Sequence, residues 1–106
     1  MNLKSKVALI TGASSGIGAG AAKLLAANGV KVGLAARRRD RLEDLLKEIK
    51  SAGGEGMVIE MDVTDPVAVN KGAKALADTY GNIDILINNA GLMPLSDIES
   101  LKVDEW

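Results

Sequence analysis

A glycine-rich run between an apolar segment and a helical pattern constrains the fold of this chain most strongly. The apolar segment, Val7 to Ile10, predicts a strand, and the run from Thr11 to Gly18 follows it and opens a helix. Gly12 is expected to make the tight turn, Gly16 to let backbone amides approach an anion, and Gly18 to let the helix pack closely on the sheet. Because a helix start exposes unpaired N–H groups and a positive dipole end, the run predicts a phosphate-binding turn.

The spacing of these glycines narrows the class of phosphate site. It is Gly-x-x-x-Gly-x-Gly, which differs from the usual Gly-x-Gly-x-x-Gly dinucleotide fingerprint, and no Lys-Ser/Thr pair follows as in a P-loop. A nucleotide triphosphatase is therefore disfavoured. An ordinary tight connection between strand and helix stays open as an alternative for this run taken alone.

Composition excludes several other classes of function. The 106 residues are enough for one small domain, and with 2% aromatic residues its core must be built from Ala, Val, Leu and Ile. A net charge of -1, with no basic tract longer than Arg37 to Arg41, argues against a nucleic-acid partner. The absence of cysteine and histidine excludes disulfides, thiol nucleophiles, imidazole bases and the common zinc sites.

The hydropathy of the chain predicts a cytoplasmic protein with no membrane partner. The first residues lead directly into a strand without a long apolar signal segment. No stretch approaches the roughly 18 uninterrupted apolar residues of a membrane-spanning helix.

Strand and helix patterns alternate as β-α-β-α-β-α-β, without repeats or low-complexity segments. Runs such as Ile85-Leu86-Ile87 lack polar alternation, as expected of parallel strands covered on both faces. The chain is thus predicted to form a doubly wound α/β fold. The four predicted strands are Val7 to Ile10, Val30 to Ala36, Gly56 to Met61 and Ile83 to Ile87.

Each predicted helix has a recognisable end and an apolar stripe. The first runs from Gly16 to Asn28 and stops at Gly29, the second stops at Gly53, and the third begins at Pro66. Asp65 is a candidate cap for the third helix, and Gly81 closes it. The predicted buried positions are Ile17, Ala21, Leu24 and Leu25 in the first helix, Leu42, Leu45, Leu46 and Ile49 in the second, and Val69, Ala73, Leu76, Ala77 and Tyr80 in the third.

The unusual residues of the chain all follow predicted strands. In an open parallel sheet, ligands bind beyond the carboxyl ends of the strands, where the strand order switches. We therefore expect one crevice to collect four segments. These are the glycine run after the first strand, Arg37 to Arg39 after the second, Asp62-Val63 after the third and Asn88 to Gly91 after the fourth.

The arginines are the most discriminating of these segments. Cations at a helix N-terminus interact unfavourably with the helix dipole, by about 0.3 to 1 kcal/mol per exposed charge. The alternative interpretation, that the arginines form a solvated helix start, is tolerable at this cost but gives no reason for placing them there. A ribose 2′-phosphate beside the end of the second strand would supply one, clamped by Arg37 and Arg38. A cofactor with a 2′-hydroxyl would instead favour an acid there, whereas position 36 is Ala and Asp40 already lies in the helix. NADP is thus predicted over NAD.

The remaining polar residues allow two interpretations each. Asp62 is either a turn residue or an acceptor for the adenine amino group. Asn88 and Asn89 are either loop polar residues or amide ties between neighbouring strands, while Ala90 and Gly91 leave space for a ribose.

Two serines complete the candidate site. Ser14 and Ser15 have the right size to hydrogen-bond phosphate oxygens, and without a partner base neither is expected to be a nucleophile. The sequence therefore provides no catalytic residue and no metal ligand. The predicted cofactor-binding residues are Gly12, Ser14, Ser15, Gly16, Ile17, Gly18, Arg37, Arg38, Asp62, Val63, Asn89, Ala90 and Gly91.

Together these motifs resemble the N-terminal part of a short-chain dehydrogenase/reductase. Thr11 to Gly18 is similar to the cofactor motif of that family, Asp62-Val63 to its adenine contact and Asn88 to Gly91 to its strand-four motif. The segments from Ala36 to Leu42 and from Gly91 to Leu95 resemble the NADP-dependent alcohol or serine dehydrogenase branch. The resemblance spans essentially the whole chain. It implies an NAD(P)-binding Rossmann domain over residues 1–106, with strand order 3-2-1-4.

The family's catalytic residues, Tyr-x-x-x-Lys with a Ser and an Asn, belong to a second half that is absent from this sequence. Tyr80 is followed four residues later by Asp84 instead of lysine, and we assign it to the core. Val103 to Trp106 resembles an unfinished first helical turn, which suggests truncation. The chain is therefore expected to bind NADP without turning over substrate alone.

The fourth strand is predicted to be a bare edge in such a fragment, favouring self-association or pairing with a complementing C-terminal half. The alternatives to an oxidoreductase fragment are a stand-alone nucleotide-binding module and a structural subunit with a vestigial turn.

Overall fold

The structure, a computed structural model, describes residues 3–62 and 64–89. The strands of the described residues are all parallel and lie in one sheet, in the order third, second, first and fourth along the chain. This confirms the predicted α/β architecture and strand order. The elements along the chain are β1 Val7–Thr11, α1 Gly16–Ala27, β2 Lys31–Ala36, α2 Arg39–Ser51, β3 Glu55–Glu60, α3 Pro66–Tyr80 and β4 Ile85–Asn88.

Helices cover both faces of the sheet and create two apolar clusters. Successive residues of a strand point to opposite faces, so Ala8 and Ile10 join α1 and α2, whereas Val7 and Leu9 join α3. All five residues of β1 are buried as a result. The uninterrupted apolar strands of the sequence are thus explained by this double cover.

The buried face of α1 differs from the predicted one. The sequence pattern places Ile17 and Leu24 inside, but their side chains are 78% and 66% exposed. The helix instead turns Gly18, Ala22 and Ala26 toward the sheet, at a spacing of four residues. These small residues bring the helix backbone close to the strands, which bulky side chains on the same face would prevent. Of the other predicted positions, Ala21 and Leu25 are half-buried.

The predicted helix ends and the stripes of the other two helices are confirmed. Gly29 follows α1 with a φ of 88°, the left-handed conformation that favours glycine. The Asp65 carboxylate accepts from the Val67 amide at 3.0 Å and so caps α3. The stripes of α2 and α3 contain six fully buried residues, with the remaining predicted positions half-buried, and these six are Leu42, Leu45, Ile49, Val69, Ala73 and Leu76.

Two further predictions concern Tyr80 and the chain end. The Tyr80 ring is half-buried against the α3-side cluster, with the Lys31 ammonium 5.6 Å from its centroid, so the residue belongs to the periphery of the core. The helical turn predicted at Val103 to Trp106 lies outside the described residues. Across residues 3–62 and 64–89, no helix combines the length and the apolar character needed to cross a bilayer.

Candidate functional site

The carboxyl ends of β1, β2 and β3 enclose a cleft of about 300 Å³. The glycine turn after β1 forms one wall, and the segments after β2 and β3 form the opposite wall. The structure therefore brings together three of the four segments that the sequence assigns to one crevice. The residues lining the cleft are Gly12, Ser14, Ala36, Arg37, Arg38, Met61, Asp62 and Thr64.

The three glycines of the turn occupy different environments. Gly12 has a φ of 65°, so it makes the tight turn as predicted. A Cβ atom on Gly18 would collide with the carbonyl oxygen of Gly12, which explains the close packing of α1 on the sheet. A Cβ on Gly16 would meet no heavy atom of the described residues within 4 Å. Backbone conformation therefore favours glycine at 12 and packing requires it at 18, whereas a Cβ at 16 would meet none of the described residues.

Ser15 is the N-cap of α1. Its hydroxyl accepts from the Gly18 amide at 3.1 Å and donates to the Gly12 carbonyl at 2.9 Å. The Asn89 side-chain amide also donates to the Ser15 hydroxyl oxygen, at 2.6 Å. One donor and two acceptor positions are thereby used, which is the full capacity of a hydroxyl. By the geometry of an α-helix, the amides of Gly16 and Ile17 have no intrahelical acceptor, and they face the region beyond the helix start.

Thr11 completes this part of the site, although the sequence analysis gives it no role of its own. It is the one polar residue with a buried side chain among those described. Its hydroxyl donates to Asn88 Oδ1 and accepts from the backbone amide of Asn89, both at 3.1 Å. The Asn88 side-chain amide therefore ties β4 to β1 as predicted, whereas the Asn89 side-chain amide contacts Ser15 in the glycine turn. A polar residue at the end of an apolar run is the signal available in the sequence.

The three arginines after β2 separate into two groups. Arg37 Nη2 lies 2.9 Å from Asp62 Oδ2, and Arg38 Nη2 lies 3.7 Å from Asp40 Oδ2. Arg39 points along α2 to Glu43, with Nε 3.1 Å from Oε1. Only the first two arginines line the described cleft.

These ion pairs change the electrostatic interpretation of the arginines. The carboxylates paired with the arginines offset part of the unfavourable interaction between the arginines and the α2 dipole. Residues of the chain itself therefore partly neutralise the positive charge at this helix start. Arg38 is the N-cap of α2, and within the described residues its side chain makes no capping hydrogen bond. The side chains of Arg37 and Arg38 remain 77% and 62% exposed.

The Asp62 carboxylate connects the segment after β2 to the segment after β3. Its Oδ1 accepts from the Thr64 amide at 2.9 Å and from the Thr64 hydroxyl, Oγ1, at 2.6 Å, while Oδ2 faces Arg37. Hydrogen bonds from the Thr64 hydroxyl and amide, and then the Arg37 guanidinium, hold the pKa of Asp62 below its usual value. Asp62 thus has the turn role that the sequence offers as one alternative, and it also lines the cleft.

Thr64 is missed by the sequence analysis, although the Asp-x-Thr spacing is typical of an Asx turn. Three of the predicted cofactor-binding residues, Val63, Ala90 and Gly91, lie outside the described residues.

Comparison with known proteins assigns this architecture to a family. A family profile described as short chain dehydrogenase matches residues 6–106. The chain belongs to the short-chain dehydrogenase/reductase family, and it supplies an N-terminal Rossmann-type portion of that fold.

Individual relatives agree with this assignment and show the extent of the match. An uncharacterised oxidoreductase of Listeria innocua, Lin0452, is 45% identical over 106 residues, which are 100% of this chain and 43% of that protein. A metagenomic short-chain oxidoreductase in complex with NADP superposes with a TM-score of 0.81 at 38% identity, over 87% of this chain and 42% of that one. An actinorhodin polyketide ketoreductase variant with NADPH gives 0.78 at 39%, over 82% and 33%. The chain thus spans less than half the length of these relatives.

Proposed function

We propose that this chain binds NADP(H) across the carboxyl ends of its strands and forms the cofactor-binding part, residues 1–106, of an oxidoreductase. The observation that carries the proposal is the cleft, which has the glycine turn on one wall and Arg37 and Arg38 on the other. Structural neighbours that hold NADP or NADPH support it.

The start of α1 is the proposed pyrophosphate site. The amides of Gly16 and Ile17 and the positive end of the helix dipole attract an anion there. Ser15 supports this site by capping Gly18 and fixing the turn, and Ser14 lines the adjoining cleft. Because the space that a Cβ at Gly16 would enter is open to 4 Å among the described residues, a diphosphate can approach the backbone directly.

The opposite wall is the proposed adenosine site. Arg37 and Arg38 offer planar guanidinium groups to a ribose 2′-phosphate, the group that distinguishes NADP from NAD. Asp62 is ionised at neutral pH, since its pKa is lowered, and is proposed to accept from the adenine amino group. Val63 and the segment Asn89 to Gly91 complete the proposed set at the adenine and ribose.

The reaction is a proposal for the whole protein. When bound, the nicotinamide supplies a hydride acceptor or donor for an alcohol or carbonyl carbon. This chain positions the cofactor, and we propose that it does not turn over substrate alone, because Tyr80 has no Lys four residues later.

We further propose that the side of β4 opposite β1 pairs with a second copy or with a complementing part of the protein. In the described part of the chain, β4 is hydrogen-bonded to β1 alone, and Ile85 and Ile87 on it are half-buried. Such an edge favours strand addition. Light scattering that finds a stable monomer at high concentration would argue against this pairing.

Titration of the purified chain with NADPH and NADH tests the cofactor assignment. We expect NADPH to bind at least about tenfold more tightly, the effect of a charge-assisted hydrogen bond of about 1.5 kcal/mol. Arg37→Ala should remove most of that preference. Arg39→Ala is the matched control, because Arg39 pairs with Glu43 along the helix and should leave the preference intact. Equal affinity for the two cofactors in the unmodified chain would refute the proposal.

A further inference from the structure

We propose that Thr64 is a specificity-determining positioning residue. By holding Oδ1 of Asp62, it aims Oδ2 at Arg37 and keeps the Arg37 guanidinium in the cleft, ready for a ribose 2′-phosphate. This inference rests on the proposed NADP(H) function, and it concerns a residue that the sequence motifs do not single out.

The geometry of the turn after β3 fixes the Asp62 carboxylate. Two donors from one residue, the amide and the hydroxyl of Thr64, converge on Oδ1, which prevents the carboxylate from rotating freely. The backbone holds Thr64 in turn, because the Asp65 amide donates to the Asp62 carbonyl at 3.0 Å and Asp65 caps α3. The orientation of Oδ2 is therefore set by the junction between β3 and α3.

Arg37 needs an external restraint. Its side chain is 77% exposed, so packing orders it little, and restricting a long flexible side chain on binding costs conformational entropy. The contact with Asp62 uses Nη2, while a guanidinium has five N–H donors in total. The restrained group thus retains donors for a phosphate. Part of the entropy cost of ordering the Arg37 side chain is therefore met before NADPH binds. NADH lacks the 2′-phosphate, so the restraint on Arg37 does not increase its affinity.

The negative charge of Asp62 acts in the opposite direction, since it weakens the attraction between Arg37 and a phosphate. Substituting Asp62 would change both the charge and the positioning. Thr64→Val instead removes the hydroxyl donor and keeps the β-branched shape. It also retains the Asp62 carboxylate with its charge. This variant separates positioning from charge, and Thr64→Ser is its matched control because it restores the hydroxyl.

The test compares dissociation constants for NADPH and NADH in the purified chain and four variants: T64V, T64S, R37A and R37A/T64V. We expect T64V to lower the NADPH preference by about two- to tenfold, the range for one hydrogen bond, mainly through NADPH. T64S should retain the original preference. In the R37A background, T64V should have no further effect, because the proposed route runs through Arg37.

Several outcomes would overturn the proposal. An unchanged NADPH preference in T64V would do so. An equal loss of affinity for both cofactors would do so by indicating general disruption. A loss of NADPH affinity that persists in the R37A background would do so by indicating a direct contact of Thr64 with the cofactor. A cofactor-free measurement separates this inference from the proposed function. In ¹⁵N relaxation of the Arg37 side chain, T64V should lower the Nε order parameter and T64S should not. If the chain shows that change but no preference for NADPH, the cofactor assignment fails and the inferred selectivity fails with it. If it prefers NADPH without that change, only the present inference fails.

Discussion

The two walls of the cleft are held by different kinds of hydrogen bonds. On the side of β1 and β4, the contacts of Thr11, Ser15 and Asn89 are between neutral groups, and the central hydroxyl of Thr11 is buried. On the side of β2 and β3, Arg37 and Asp62 form an exposed charged pair. Hydrogen bonds between neutral groups are insensitive to pH and salt, whereas exposed ion pairs contribute little energy and respond to both. One wall is therefore a rigid support, and the other is adjustable by ligand and solvent.

The largest expected effect separates two glycines on the rigid wall. Gly18→Ala should destabilise the chain by about 1 to 3 kcal/mol, the usual cost of overpacking, because its Cβ collides with the Gly12 carbonyl. Gly16→Ala should fold at least as well as the original chain, since its Cβ would meet none of the described residues within 4 Å, yet bind NADPH more weakly. Urea unfolding and NADPH titration of both variants measure this contrast. Equal stability of the two variants would show that the Gly18 contact relaxes at little cost.

An intermediate effect is expected at Thr11. Thr11→Val removes the hydroxyl that joins the end of β1 to Asn88 and Asn89, and loss of a hydrogen bond to such partly exposed groups costs about 0.5 to 1.5 kcal/mol. Thr11→Ser keeps the hydroxyl and is the matched control. The loss in the free energy of unfolding should be the same at low and high salt. A strong salt dependence would contradict the distinction between the two walls.

The smallest effect concerns pH and the adjustable wall. The pKa of Asp62 is lowered by the Thr64 hydroxyl and amide and then by Arg37, so the unfolded chain binds this proton more readily than the folded chain. The resulting stabilisation is complete above the ordinary pKa of an aspartate and disappears as the pH falls through the lowered value. Asp62→Asn should therefore reduce stability slightly at neutral pH, and the difference should vanish under acidic conditions. Urea midpoints measured from neutral to acidic pH check this, and a difference that persists in acid would assign it to packing instead.

The same contrast explains what could be predicted from the sequence. The alternation of strands and helices and the helix ends follow from local patterns, whereas the strand order follows from the family resemblance, and these predictions are correct. Of the four polar segments expected at the strand ends, three line the described cleft. The prediction for the buried face of α1 is wrong, because periodicity favours the bulky Ile17 and Leu24, whereas close approach to the sheet selects the small residues Gly18, Ala22 and Ala26. The pairing of Arg37 with Asp62 joins residues 25 positions apart, and only the register of β2 beside β3 brings them together.

The contact between Gly18 and Gly12 has a mechanical consequence for the proposed pyrophosphate site. At this contact the Cα of Gly18 faces the backbone of Gly12 and Ala13 directly, because neither glycine carries a side chain. The closest approach of the helix start to the end of the strand is therefore limited by van der Waals contact between backbone atoms and not by the rotamer of a side chain at position 18. Changes of side chains elsewhere in the core do not alter this direct backbone contact. The position of the site should therefore be preserved even as the surrounding apolar residues vary.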